Sequence, residues 1–260
     1  MSILILNGKT SRARPNQDLL VNKHDRFEPP IINGYMPTDV AINGLHRLPI
    51  LSGCVLDLPL YHPILSPSSF KSLDANQYSC TVTGAIWLPQ GRTFDGNDDY
   101  IEATCPQLDF TTGAFSGVIW VYLDAIGVSY THLITRGLLV TDGWFFAIEA
   151  GGYLNINTNQ SGARQQTYSN AGDVTTGSWL CLGFTRDGAA CKVYKNGVDI
   201  TLVSGTHVDP LTSARTLKIG IDDNLTSDLD GTIGGVQVYN RALSSAEILR
   251  NYQSTKWRYL

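Results

Sequence analysis

Between Gly53 and Tyr239 the chain is punctuated by glycine-centred turn pairs, and the apolar runs between them are strand-length. The pairs are Asp95-Gly96, Asp142-Gly143, Asp187-Gly188 and Asn196-Gly197. Asn-Gly and Asp-Gly suit two-residue hairpin turns, whose central residues need positive φ. Around them lie residues 55–60, 115–123, 144–148, 179–185 and 191–194, then Leu217, Ile219 and Ile221, and finally Val236 and Val238. In 115–123, Phe115, Gly117, Ile119, Val121 and Leu123 share one strand face, and Val118, Trp120 and Tyr122 share the other. Two apolar faces on one strand place it inside a layered structure. Glu occurs only at positions 28, 102, 149 and 247, while Gly reaches 25 residues, a balance that favours strands and turns over helices. The expectation is an all-β sandwich or barrel of short strands, and 260 residues suffice for one such domain.

Two terminal segments depart from this pattern. Residues 1–52 carry Pro15, Pro29, Pro30, Pro37 and Pro49 with weak periodicity, and six Lys/Arg against four acids. They read as an extended N-terminal arm that ties the chain to copies of itself or to other subunits of an assembly. The sandwich is expected over 53–252, with a C-terminal tail over 253–260. Near its end, Ser244 and Glu247 form a capping-box pattern, so a short helix with Ile248, Leu249 and Tyr252 as its apolar stripe is predicted to seal one end of the sandwich.

Five cysteines, at 54, 80, 105, 181 and 191, show no metal-ligand spacing and read as buried free thiols. A hairpin centred on Asp187-Gly188 puts Phe184 opposite Cys191 and turns Cys181 to the other face, which argues against a bond between them. The net charge of −4 argues against a nucleic-acid partner. No apolar run approaches the ~18 residues of a membrane span, and residues 3–6 are too short for a signal-peptide core.

Several motifs occur in a familiar order. They are Phe94-Asp95-Gly96-Asn97-Asp98-Asp99-Tyr100-Ile101; Phe115 to Tyr122 with Trp120; Gly143-Trp144; Trp179; Tyr194-Lys195-Asn196-Gly197-Val198; Leu217-Lys218-Ile219-Gly220; and Gly231 to Tyr252. Over roughly residues 55–252 the chain resembles the concanavalin A-like, laminin-G-like (pentraxin-like) jelly-roll family. The opening of the domain, Leu58 to Pro63 and then Gly91 to Gly96, is similar to laminin-G-like proteins encoded by phages. The resemblance implies two antiparallel sheets, one concave, carbohydrate or protein recognition, and often one calcium ion. One departure stands out: Gly234-Gly235 occupies the place of the family's usual acidic pair.

For that calcium, the candidate ligands are Asp95, Asn97, Asp98 and Asp99, joined by some of Asp222, Asp223, Asp228 and Asp230. Calcium takes six to eight hard oxygens, which close-set Asp residues and loop carbonyls supply. Aromatic faces pack on sugar C–H groups while amides bond hydroxyls. Residues 151–170, rich in Asn, Gln, Ser and Tyr, therefore read as a recognition loop, with Tyr153, Asn155, Asn157 and Tyr168 as candidate glycan contacts. Trp87, Tyr100, Trp144 and Trp179 are further stacking candidates, although Trp120, Trp144 and Trp179 are expected to be buried for packing.

No enzyme pattern emerges. Glycosidases on this fold carry closely spaced acids along one strand, and the four Glu residues are far apart. No Gly-x-Ser-x-Gly or His-Glu-x-x-His occurs either. The reading is a non-catalytic recognition or structural protein, a surface component of a virion or cell-surface assembly. The alternative is a lectin-like carbohydrate-binding module assisted by calcium.

Overall fold

The computed structural model describes residues 49–260. Most of the predicted arm, and the assembly contacts expected of it, fall outside the described residues. Sixteen strands run in order: β1 (Cys54–Leu58), β2 (Ser69–Lys71), β3 (Ser79–Thr83), β4 (Ile86–Leu88), β5 (Gly91–Asp95), β6 (Tyr100–Ala103), β7 (Phe115–Ala125), β8 (Tyr130–Leu138), β9 (Asp142–Glu149), β10 (Tyr153–Gln160), β11 (Ala163–Tyr168), β12 (Trp179–Asp187), β13 (Ala190–Lys195), β14 (Val198–Asp199), β15 (Leu217–Ile219) and β16 (Asp230–Tyr239). One sheet runs β14-β13-β12-β7-β16-β5-β4, with β1 also paired to β16; the other runs β11-β10-β9-β8-β15-β6-β3-β2. The described pairings are antiparallel, so the expected two-sheet sandwich is what forms.

Alternation along the strands builds the core. Phe115, Ile119, Val121 and Leu123 of β7 enter it, as do Trp144, Phe146 and Ile148 of β9 and Leu154 and Ile156 of β10. Phe184 of β12 lies with its ring centroid 5.6 Å from Trp144 and 4.9 Å from Phe146, bridging the two sheets. The space for that ring exists because residue 117 is glycine; a Cβ there would collide with the Phe184 ring edge. Truncating so enclosed a ring costs about 3–5 kcal/mol.

The opposite face of the first sheet is also covered. Val118 and Trp120 of β7, Cys181 of β12 and Tyr194 of β13 pack with Ile248 of the helix α1 (Ser245–Thr255). The predicted helix therefore exists, but it lies on a sheet face instead of closing an end. Its capping box is complete: Ser244 Oγ accepts from Glu247 N at 3.3 Å, and Glu247 Oε2 accepts from Ser244 N at 2.9 Å. Arg241 donates to both carboxylate oxygens of Glu247, and these bonds push its pKa down to about 2.

Residues 253–260 do not hang free. The helix runs to Thr255, a 3-10 turn follows, and the Tyr259 ring stacks 4.4 Å from Trp120 and lies tilted 4.6 Å from Trp179. A Cβ on Gly234 would collide with the Tyr259 ring. This accounts for the glycine at position 234: the strand surface is bared there, and a C-terminal aromatic lies on it.

The hairpin register differs from expectation by one residue. Asp187 pairs with Ala190, so Gly188 and Ala189 are the central residues and Cys191 faces Arg186, not Phe184. Gly188 has φ +56°, as a turn with glycine first requires. Because Phe184 and Arg186 share a face, Cys191 still enters the core and Cys181 the helix-side cluster. All five cysteines are free, and four are buried. Among the described residues no helix is long and apolar enough to cross a membrane.

Candidate functional site

The candidate site grows from strand alternation in β8–β11. In β10, Leu154 and Ile156 face the core. By the period-two rule Tyr153, Asn155, Asn157 and Asn159 face outward. Pairing adds neighbours to that outer face: Glu149, Ala147 and Phe145 of β9, and Tyr168, Gln166 and Arg164 of β11. Beyond β9, Tyr130 and His132 of β8 continue the same face. Residues 151–170 are thus largely a β-hairpin, not the loop expected from their composition.

At one end of this face is a depression of about 490 Å³ lined by Glu149, Tyr153, Gln166, Tyr168 and Leu202. The Tyr153 and Tyr168 rings stand edge-to-face with centroids 6.2 Å apart. Leu202 is fixed there because its N–H and that of Val203 donate to the Tyr168 carbonyl at 3.0 and 3.1 Å. Gln166 Nε2 donates to Glu149 Oε2 at 3.1 Å, and Arg164 Nη1 donates to Tyr130 Oη at 2.7 Å. These two contacts reach from β11 across β10 to β9 and β8.

Of the four residues predicted to contact glycan, Tyr153 and Tyr168 lie on the wall of this depression. Asn155 and Asn157 share its face but are fully buried, which corrects the expectation that they stand open on a loop. Asn157 Nδ2 donates to Asn155 Oδ1 at 2.6 Å. The remaining amide groups, Asn155 Nδ2 and Asn157 Oδ1, are buried without a protein partner. Beside them His132 is held neutral: burial pushes its pKa down to about 4, and Nδ1 pairs with Thr135 Oγ1 at 2.8 Å. Its ring centroid lies 4.7 Å from that of Phe145. Of the other aromatic candidates, Trp144 is wholly buried, as expected, and Trp120 nearly so. Trp179 is partly buried against Tyr122 and Tyr259.

Sequence reasoning missed Glu149, Gln166, Arg164, Tyr130 and Leu202. Alternation through 153–159 signals a polar outward face. No local signal tells which strands flank it.

The acidic loop is a second cluster. One carboxylate oxygen from each of Asp95, Asp98 and Asp99 lies within 4.8 Å of the others. Asp99 Oδ2 accepts from Asp95 N at 3.0 Å, and a Cβ on Gly84 would overlap the Asp99 carboxylate, so the loop closes against a glycine. Burial first, then the charges of Asp95 and Asp98, raise the Asp99 pKa. Asp228 and Asp230 are raised in the same way, by burial and then by neighbouring acids. Asn97 is exposed, and its N–H donates to Asp95 Oδ1 at 3.1 Å. Asp223 is engaged by Arg215 and Lys218, and Asp222 caps Thr226 and Ser227, so neither is directed at this loop. Hard oxygens without a described cation partner fit a calcium ion, which Asp95, Asp98 and Asp99 would hold.

The structure is thus a two-sheet antiparallel sandwich with an aromatic and polar depression on one face. The chain belongs to the concanavalin A-like lectin/glucanases superfamily: the family's sequence profile matches residues 95–249. A search of the curated proteins returned no match. Among solved structures, the receptor-binding domain of botulinum neurotoxin C/D mosaic serotype superposes with TM-score 0.62 at 14% identity, covering 78% of this chain and 52% of that one. The botulinum neurotoxin serotype D ligand-binding domain, in complex with N-acetylneuraminic acid, gives 0.61 at 14% identity over 78% of this chain and 51% of that one. A Trypanosoma rangeli sialidase gives 0.61 at 18% identity over 81% of this chain and 34% of that one. The chain thus spans about half the length of the toxin domains it resembles, and at such identities the likeness establishes the fold.

Proposed function

We propose that this chain is a non-catalytic, lectin-like carbohydrate-binding module. The observation that carries the reading is the depression between Tyr153 and Tyr168, where two aromatic rings meet an amide and a carboxylate. Ring faces take the C–H side of a sugar, and Gln166 and Glu149 take its hydroxyls. The similar toxin domain in complex with N-acetylneuraminic acid is consistent with sugar recognition on this fold. Glu149 is the one carboxylate among the described residues lining the depression, whereas glycoside hydrolysis calls for a pair.

A glycan array probed with the purified protein, with and without chelator, tests the reading. Tyr153→Ala and Tyr168→Ala should each weaken binding about tenfold or more while the protein stays folded, in line with about 1–3 kcal/mol for a stacked ring. Silence across the array, or binding indifferent to both substitutions, rules this site out. Calcium at Asp95, Asp98 and Asp99 would act as a structural brace, with chelation lowering the melting temperature more than it lowers affinity. The module would serve as a surface component, at a virion or cell exterior, of a larger assembly reached through residues 1–52.

A further inference from the structure

We propose that the depression continues inward to a latched floor, in which Asn155 and Asn157 recognise two hydroxyls of a neutral sugar. This rests on the carbohydrate-binding reading and extends it to residues that are closed to solvent. Three observations carry it. Asn155 lies opposite Tyr168 in the β10–β11 register, and Asn157 lies opposite Gln166, so each asparagine is the strand partner of a residue that lines the depression. Their free groups, Asn155 Nδ2 and Asn157 Oδ1, are one donor and one acceptor, fully buried and unpartnered. Two side-chain bonds span β10 on this face, Gln166–Glu149 and Arg164–Tyr130, and Arg164 is itself exposed.

Buried polar groups without partners are costly and uncommon, and a pair of opposite character is a demand for a ligand or water that offers both. A sugar hydroxyl donates and accepts, so two neighbouring hydroxyls satisfy Asn155 Nδ2 and Asn157 Oδ1 together. An anionic sugar fits less well. Its carboxylate satisfies Asn155 Nδ2, leaves the Asn157 oxygen facing another acceptor, and meets the like charge of Glu149. The latch bonds lie at or near the surface, where water replaces them readily, so opening is a side-chain event that leaves the strands in place. The closed state lowers apparent affinity by the fraction of molecules that are open.

The test uses the full chain with lactose, cellobiose and 3′-sialyllactose as probes, by calorimetry and by side-chain amide NMR. Arg164→Ala, a surface change that leaves the core untouched, should tighten binding of a neutral disaccharide about threefold to tenfold. The amide resonances of Asn155 and Asn157 should shift on titration, and Asn157→Ala, checked for an intact fold by its melting curve, should weaken binding at least tenfold. Sialyllactose should bind no more tightly than lactose. If a disaccharide binds and Tyr153→Ala abolishes it, while the asparagine amides stay still and Arg164→Ala has no effect, the floor is merely water-filled and the inference is overturned. The carbohydrate reading then survives. A tenfold preference for sialyllactose overturns the neutral class. No binding by wild type or Arg164→Ala removes both readings.

Discussion

His207 shows how a single side chain couples the fold to pH. Its Nδ1 pairs with Thr158 Oγ1 and its Nε2 with Thr167 Oγ1, each at 2.9 Å, so both ring nitrogens are occupied. Burial first, and the Arg186 charge second, push its pKa from 6.5 down to about 4. The folded state therefore binds fewer protons than the unfolded state between those values. The stabilisation is complete above pH 6.5 and is lost as pH falls toward 4. His132 is shifted in the same direction by burial. Denaturant titrations should show stability falling through this window, by up to roughly 3 kcal/mol per histidine. His207→Gln, which keeps a donor and an acceptor without a titrating ring, should flatten the slope; an unchanged slope would clear His207 of the effect. The cysteines act otherwise. Burial raises the Cys80 and Cys191 thiols to about 12, which keeps them inert as packing groups.

Elements show where local signals sufficed and where they failed. The capping box at Ser244 and Glu247 located α1, because its two bonds connect residues three apart. The turn at Asn196-Gly197 held as read: Lys195 pairs with Val198, and both central residues have positive φ. The Asp187-Gly188 hairpin was misregistered by one residue because a leading glycine forms its own two-residue turn with Ala189. Nothing local announced that the last strand accepts Tyr259. Gly234→Ala should displace that ring and cost about 1–3 kcal/mol, as overpacking does. Increased solvent exposure of Trp120 and Trp179 in fluorescence should accompany it, and an unperturbed spectrum with unchanged melting would refute the contact.

At the scale of the molecule, the residues just before Gly53 are tied to the sandwich. Ile50 is buried in the helix-side cluster; its N–H donates to Asn251 Oδ1 at 2.7 Å, and its carbonyl accepts from Tyr239 Oη at 2.9 Å. Removal of residues 1–52 should lower melting by several degrees relative to removal of 1–48, about 1–3 kcal/mol for the lost anchor. Size-exclusion chromatography of the shorter truncation reads the proposed assembly role at the same time: unaltered association would exclude the arm.

The amino-acid sequence by itself determined the all-β class, the helix and the burial of the core tryptophans, since alternation, turn dipeptides and caps act over a few residues; the choice of a two-sheet sandwich over a barrel came from the order of its motifs. It also offered Tyr153 and Tyr168, and the acids of the loop at 95–99, as candidates, because those residue types carry their chemistry with them. Only the tertiary structure decided that Asn155 and Asn157 are closed over, that Glu149, Gln166 and Leu202 join the tyrosines, and that Asp223 is spent on Arg215 and Lys218. The physical reason is separation along the chain: a site formed between strands depends on which strands pair and in what register, and the free energy of that choice is spread over the whole core.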